Sequence, residues 1–505
     1  MNCRSFHYIF TLIVLAFALT MSSCIQDDFF EEHPNQQHQD GNHDQDSNTD
    51  PNLDPNQDGN QEGGNNGNPV KPEYQESISY VWDLTALPEI QIEVPLTEWN
   101  NLLASYDRNN STREYIHCNA TYIKGDDVHK IQDVGLRLRG NTSRRRPEAG
   151  SGPHVQGSAD WQHCHYGLHF RKFVKDQAHT VHGIHKVNLK WFKDDPIYAR
   201  EVFCYDLFRR FGVWTAINSS YCRLKIHVEG DPEPTNMGVY EMIEPVNDEY
   251  LKYRADKFGA ASGNLWKCSW GANLNDVADH LFGEDNNINN YTYEWKCGLL
   301  GYAPAKEQLK DFILKLTGKG EDSFYKWIQE VCDVELLLKT YAVNVAVGMW
   351  DDYWNNSNNY YLYFSTTDKY KYKVFFIPFD YDNTLGTSAN CGNIQDSGRQ
   401  NPWHWGSSSN PLIERLLRFP EFRQIYENAL RDLVNPANEM MDFASAYKRI
   451  STWHKLINPY VSNDTGEDML IEDKTASWSN HKEYRLMDSG GNNFFIIKAQ
   501  SIDKM

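Results

Sequence analysis

The chain has 505 residues, 40% hydrophobic, 23% charged and 13% aromatic, with a formal charge of −20. That apolar content excludes a wholly disordered protein and provides for a core that needs no stapling. The acidic balance, with a pI near 5.3, excludes a general nucleic-acid binder, which needs a basic face to displace counterions. Beyond residue 25 no apolar run is long enough to span a bilayer.

Residues 1–23 read as a secretory signal, with Arg4 as the positive start and an apolar stretch at 9–19 too short for a stable transmembrane helix. Met21-Ser22-Ser23-Cys24 follows, small residues running into a cysteine, and this resembles a bacterial lipobox in which Cys24 is lipidated. Acyl chains anchor through buried methylenes without spanning the membrane. The early acidic residues Asp27, Asp28, Glu31 and Glu32 resemble a surface-export cue. The expected address is therefore extracytoplasmic, lipid-anchored, at the outer membrane or cell surface. Of ten cysteines, Cys3 leaves with the signal and Cys24 takes lipid. The eight others form no Cys-x-x-Cys pair, which argues against a zinc ribbon or a thioredoxin-type site.

Residues 24–78 read as a disordered acidic tether rich in Asn, Asp, Gln and Gly. Between residues 25 and 75, twelve acidic residues face Lys71 alone, more than half of the whole charge deficit. Such a segment cannot offset its ordering entropy by burial. Asp54, Asn56, Asp58 and Gly59 match the opening of an EF-hand loop, but its twelfth position is Asn65, where a bidentate Glu is required. The tether is read as a solvated spacer.

The folded body is expected over 79–505. Residues 90–94 alternate as a strand, and 115–122 with 134–138 read as strands around the Gly125-Asp126-Asp127 turn. Residues 198–211 form an amphipathic helix pattern, with Val202, Phe203, Tyr205, Leu207 and Phe208 inward. Residues 223–228 and 239–243 read as a further strand pair, 322–350 as helix, 359–364 with 372–378 as a hairpin, and 412–434 as helix. Strands early and helices late predict an α+β body with two lobes.

Walker A, Gly-x-Gly-x-x-Gly, His-Glu-x-x-His and Gly-x-Ser-x-Gly are all absent from the sequence. The strongest chemical pattern straddles the late hairpin. Trp350-Asp351-Asp352 closes an apolar stretch, Asn355, Asn356, Asn358 and Asn359 precede one strand, and Asp380-Tyr381-Asp382 follows the other. A hairpin brings its two ends together, so both acidic sets meet at one mouth. Hard oxygen ligands grouped this way suit Mg²⁺, which takes its other ligands from water and phosphate. Upstream, Arg137 and Arg139 share one face of a strand whose Leu136 and Leu138 point inward, and Lys186, Asn188 and Lys190 share another. Guanidinium forks and a lysine charge are what a polyphosphate requires. Glu244, at a strand end, is placed to pair with a lysine, and Lys267 is a further cation.

Taken in order, GLRLRGNTS, HKVNLKWFKDDP, GVYEMIEPVND, GNLWKC, WDDYWNNSNNYYLY and FFIPFDYDNTLG resemble the spore coat protein H (CotH) kinase-like family over about 87–434. The resemblance implies an atypical, two-lobed protein-kinase-like fold and ATP-dependent phosphorylation of a protein substrate with Mg²⁺ or Mn²⁺. By motif, Asp351 resembles the catalytic Asp, with Asp352 as its competitor. Asn359 resembles a metal ligand, with Asn356 and Asn358 competing, and Asn356 has the five-residue spacing of a kinase catalytic loop. Asp380 resembles the metal Asp and Asp382 the second acid of that motif. Arg139, Lys190, Lys267 and Glu244 lie in matching blocks on the nucleotide side. Phe379 and Thr142 depart mildly from the family pattern.

Two other readings compete. The 15 Trp and 29 Tyr are enough to furnish stacking platforms for a non-catalytic surface adhesin or glycan binder on the same scaffold. Seven of the 18 histidines fall within 154–185, and His163, Cys164, His165 and His169 have a spacing compatible with a transition metal.

Overall fold

In a computed structural model the described residues are 72–505, apart from 177–178, 286–290, 367 and 369. They lie within one unit, Gly67–Met505. The signal segment, Cys24, the early acidic residues and the false calcium loop fall outside the described residues. Among the described residues no helix is long and apolar enough to cross a membrane.

Seven strands close a barrel in the order β1-β2-β3-β4-β5-β7-β6. They are β1 (Glu89–Val94), β2 (Ile116–Lys124), β3 (Asp127–Arg139), β4 (His165–His169), β5 (Lys186–Lys190), β6 (Ser219–Val228) and β7 (Thr235–Ile243). Neighbours are antiparallel except at the seam, where β1 runs parallel to β6 with Ile90 opposite Leu224. Alternation decides which face is inside. Ile116, Cys118, Ala120 and Tyr122 of β2, Leu136 and Leu138 of β3, Val187 and Leu189 of β5, and Leu224, Ile226 and Val228 of β6 fill one core. The helix Leu96–Arg108 adds Trp99, Leu102 and Leu103 to it. An extra residue bulges β3 opposite Cys118 and Ala120, with Asp133 at φ 55°, so Ile131 and Val134 both face inward despite their odd spacing.

A second sheet has the order β12-β11-β8-β10-β9. Its strands are β8 (Asn264–Cys268), β9 (Phe282–Glu284), β10 (Tyr293–Cys297), β11 (Tyr360–Phe364) and β12 (Val374–Pro378). Its core takes in Trp266, Leu362 and Ile377, together with Phe312, Leu338 and Leu430 from helices Tyr302–Gly318, Val334–Ala346 and Pro420–Val434. The helix Arg200–Arg210 joins this core through Val202, Phe203, Leu207 and Phe208 as expected, but it is not amphipathic: Arg200, Glu201, Cys204 and Asp206 are buried as well, so its polar side is enclosed too.

The α+β class holds, and the barrel closure is a feature that strand periodicity does not reveal. Helix Pro72–Val81 begins inside the stretch read as tether, and Val81 and Trp82 bury in the barrel core. The stretch 322–350, expected to be mostly helical, holds two helices that part at Asp333, whose carboxylate caps the second by accepting from Leu336 N at 3.0 Å. Pro420 likewise opens a new helix inside the stretch 412–434. Cys118, Cys164, Cys204, Cys222, Cys268 and Cys332 are buried thiols.

Candidate functional site

Arg137 and Arg139 lie on the outer face of β3, opposite the buried Leu136 and Leu138. Their alkyl stems pass over Gly167 of β4, where an added Cβ would meet Arg139 Cδ at 3.0 Å and Arg137 Cγ at 3.4 Å. Arg137 sits 5.3 Å from the Tyr115 ring, with Lys186 at 6.0 Å. Burial opposes ionisation of that phenol, but Lys186 and Arg137 override it and bring the pKa down to about 8. Burial and the neighbouring Arg137 lower Arg139 to about 10. This face is strongly cationic.

Lys190 ends β5 and is the hub of the site. Its Nζ donates to Glu201 Oε2 at 2.5 Å and Asp380 Oδ1 at 2.6 Å, and lies 3.0 Å from Asp382 Oδ2. The Lys190 side chain is 15% exposed and that of Glu201 only 4%, whereas Asp380 and Asp382 open to solvent at 39% and 33%. Glu201 comes from the first turn of helix Arg200–Arg210. Its other oxygen accepts from Tyr205 OH and from Tyr381 N, each at 3.1 Å. Three carboxylates thus surround one ammonium. Burial, together with Asp380, lifts the pKa of Glu201, and burial against the same crowd lifts Asp382 to about 8. Asp380 is held low by Lys190 and, further off, Lys267. Carboxylate oxygens of Glu201, Asp380 and Asp382 lie within 4.8 Å of one another, so this group can hold a cation.

The hairpin brings its ends together as its pattern predicts. Tyr360 pairs with Pro378, so Asn359, just before β11, and Asp380, just after β12, stand at the same end. Both occupy the left-handed backbone region, with φ 57° and 63°. Such conformations are tolerated by Asn and Asp and cluster at functional sites. Asp351 is held by amides: Asn356 Nδ2 at 2.6 Å and Asn358 Nδ2 at 3.1 Å on Oδ1, Asn359 Nδ2 at 3.0 Å and Asn383 Nδ2 at 3.4 Å on Oδ2. Asn383, from the later motif, ties Asp351 to the Asp380 side. Burial raises the Asp351 carboxyl, and Asp380 adds to the rise, while the amides restrain it.

Several expected residues have other partners. Asp352 is buried at 3% exposure and caps the helix Tyr353–Asn356, accepting from Asn355 N at 2.7 Å and from Asn344 Nδ2. Burial pushes it up to about 7. It faces the protein interior, while Asp351 is only partly buried. Asn359 aims its amide nitrogen at Asp351, alongside Asn356 and Asn358. Glu244 pairs with Arg254 rather than a lysine, each oxygen at 2.8 Å from a guanidinium nitrogen, and it also accepts from Asn218 N and Nδ2. Lys267, on β8 opposite Tyr361 and Glu294, is brought down to about 8 by burial. The histidine-rich stretch does not converge as spaced: His163 bonds Met237 O at 2.9 Å, and His165 Nδ1 accepts from Trp191 N at 3.1 Å.

Glu201 has no counterpart among the sequence candidates. Its one signal is a carboxylate in the first turn of a helix whose neighbours Val202, Phe203 and Tyr205 are all apolar or aromatic. Such a charge in a buried turn needs a partner. Thr142, Ser143, Arg144, Arg145, Trp191 and Lys193, with the acids Asp194 and Asp468, line a pocket of about 340 Å³, within the size range of small-ligand sites.

No curated protein matches the chain. The family model described as CotH kinase protein matches residues 136–486, beginning at the strand that carries Arg137 and Arg139 and extending past both acidic motifs. The chain therefore belongs to the CotH kinase family.

Proposed function

We propose that the protein is an extracytoplasmic protein kinase, lipid-anchored through Cys24, that transfers the γ-phosphate of ATP to a protein hydroxyl. In this reading the barrel is the nucleotide-side lobe of a kinase-like fold and the second sheet with its helices is the catalytic lobe. The observation that carries it is the Lys190–Glu201 ion pair beside Asp380 and Asp382. A strand lysine paired to a helix glutamate, next to a metal-holding acid, is the arrangement phosphoryl transfer uses in kinases.

Asp380 and Asp382, the solvent-open members of the carboxylate group, are hard oxygen donors that fit Mg²⁺ or Mn²⁺, while Glu201 stays with Lys190. Such an ion, when bound, supplies charge neutralisation for the triphosphate. Lys190, Arg139 and Arg137 supply cations from the barrel side, and Lys267 adds another from the second sheet. Asp351, oriented by its asparagine amides and with a raised pKa, accepts the proton of the acceptor hydroxyl. The acceptor oxygen bonds to the γ-phosphorus as the bond to the β–γ bridging oxygen breaks, and ADP leaves. The pocket beside Trp191 offers room for the remainder of the nucleotide.

The test is incubation of the purified full chain with labelled ATP and Mg²⁺ or Mn²⁺, following label in protein. Transfer is expected for the wild type and is expected to vanish for Asp380→Ala. Equal transfer by both would overturn the assignment.

A further inference from the structure

On the barrel, separate from the cluster of acids around Lys190, three side chains from two connections converge. Asp127 opens β3 across the tight turn from Lys124, and His129 lies two residues on, on the same strand face. Both share that face with the inward Ile131, so they sit at the open end of the barrel. His182 comes from the β4–β5 connection, where the Val181–Ile184 bridge closes a two-residue turn with His182 at φ 49° and Gly183 at φ 80°. Positive φ at both central positions is the hairpin turn of primed type, uncommon for a residue with a Cβ.

The contacts form a triangle. His129 Nε2 and His182 Nε2 are 3.1 Å apart, His182 Nε2 lies 2.6 Å from Asp127 Oδ2, and His129 Nε2 lies 3.0 Å from Asp127 Oδ1. With Asp127 ionised, two ring nitrogens carry at most two protons for three contacts. No placement of protons makes every edge a hydrogen bond. A cation receiving two imidazole lone pairs and one carboxylate satisfies all three. Zinc binds nitrogen and oxygen at about 2.0–2.2 Å, and tetrahedral angles then space ligand atoms by about 3.3 Å, which asks the three edges to open by about 0.2 to 0.7 Å.

The surroundings orient this set. Tyr80 OH donates to Asp127 Oδ2 at 3.0 Å, and its ring centroid lies 4.5 Å from that of His182. Lys124 Nζ stands 4.0 Å over the Tyr80 ring and pairs with Asp83 at 3.1 Å. Carboxylate ligands of metals are held by such outer hydrogen bonds. The Asp127, His129 and His182 side chains are each about 30% exposed, which leaves a fourth position open to water.

We propose that Asp127, His129 and His182 form a zinc-class transition-metal site, distinct in place and chemistry from the carboxylate group at Lys190. Imidazole nitrogens select a borderline-soft ion such as Zn²⁺ over Mg²⁺. The ion clips the β4–β5 turn onto the β2–β3 hairpin and the segment that carries Tyr80.

The test uses the full chain without a histidine tag, stripped with chelator and titrated calorimetrically with Zn²⁺, then with Co²⁺ read by visible d–d absorption. One stoichiometric equivalent with a tetrahedral Co²⁺ spectrum is expected. The His129→Gln/His182→Gln double variant is expected to lose that equivalent, and Tyr80→Phe to weaken it about 10-fold. The Asp380→Asn/Asp382→Asn variant is expected to keep it. Absence of stoichiometric Zn²⁺ binding by the wild type, or equal binding by the double histidine variant, would overturn the proposal.

Discussion

Replacing Glu201 by glutamine tests the hub of the candidate site with almost no change of shape. Every group around that carboxylate is a donor: Lys190 Nζ on one oxygen, Tyr205 OH and Tyr381 N on the other. An amide has one acceptor oxygen, so either orientation turns its NH₂ against a donor. If the oxygen keeps Tyr205 and Tyr381, the charge-assisted bond to Lys190 is lost, at about 1.5–3 kcal/mol. If it keeps Lys190, at least one buried donor is left unpaired, at about 1–3 kcal/mol. Relief of the crowding with Asp380 and Asp382 offsets part of either. A net loss of about 2 kcal/mol follows. For roughly 430 residues at about 2.1 cal/mol/K each, the unfolding entropy is about 0.9 kcal/mol/K, so Tm should fall by about 2 °C. The larger effect is on catalysis. Without its glutamate Lys190 collapses onto Asp380 and Asp382, and kcat/KM for ATP should drop on the order of 100-fold. Scanning calorimetry and a labelled-ATP assay read the two effects separately. A variant within a factor of about 3 of wild-type activity would refute the assigned role of the pair, and an unchanged Tm would refute the donor count.

The adjacent aspartates should behave oppositely. Asp351→Asn removes the proton acceptor and turns an NH₂ toward two of the amides that donate to it, so it should abolish transfer and lower Tm by a few degrees, whereas Asp352→Asn keeps a good helix cap and should retain activity. Asp352 has a folded pKa raised to about 7 from 3.8, so the native state binds more protons than the unfolded chain between those values. The stability it contributes is therefore lost as pH rises from about 4 to about 7. Denaturant titrations at pH 5 and pH 8 should show that loss in the wild type and a smaller one in Asp352→Asn; equal loss in both would contradict the burial argument. Gly167→Ala forces the Arg139 stem aside by placing a Cβ 3.0 Å from its Cδ. ATP affinity should weaken several-fold with little change in Tm, as isothermal titration would show. At Gly263 an added Cβ would fall 1.8 Å from the Phe364 carbonyl oxygen, so Gly263→Ala should separate β8 from β11 and cost more than about 3 kcal/mol by chemical denaturation.

Much of this was legible from pattern. Arg137 and Arg139 follow from alternation with Leu136 and Leu138, and the meeting of Asn359 with Asp380 follows from hairpin topology. Glu244 and Asp352 show the limit of such reasoning. Both are acids in the right blocks, yet Arg254 occupies one through packing that periodicity does not encode, and the other caps the turn that starts at the next residue, a local contact that leaves it facing inward. Glu201 shows the converse: its partner Lys190 is close in sequence, but Tyr381, which bonds it directly, and Asp380, which shares the lysine, come from about 180 residues away.

The amino-acid sequence alone determined the mixed class, the inward faces of most strands, the acidic hairpin mouth and the family resemblance, because these rest on local periodicity and on short-range order along the chain. The tertiary structure alone decided that seven strands close on themselves through the parallel β1–β6 seam, that one lysine gathers three carboxylates, and that Asp127, His129 and His182 meet. Those outcomes depend on contacts between segments distant in sequence, where burial and the supply of hydrogen-bond partners, rather than residue type, choose which charges stand together.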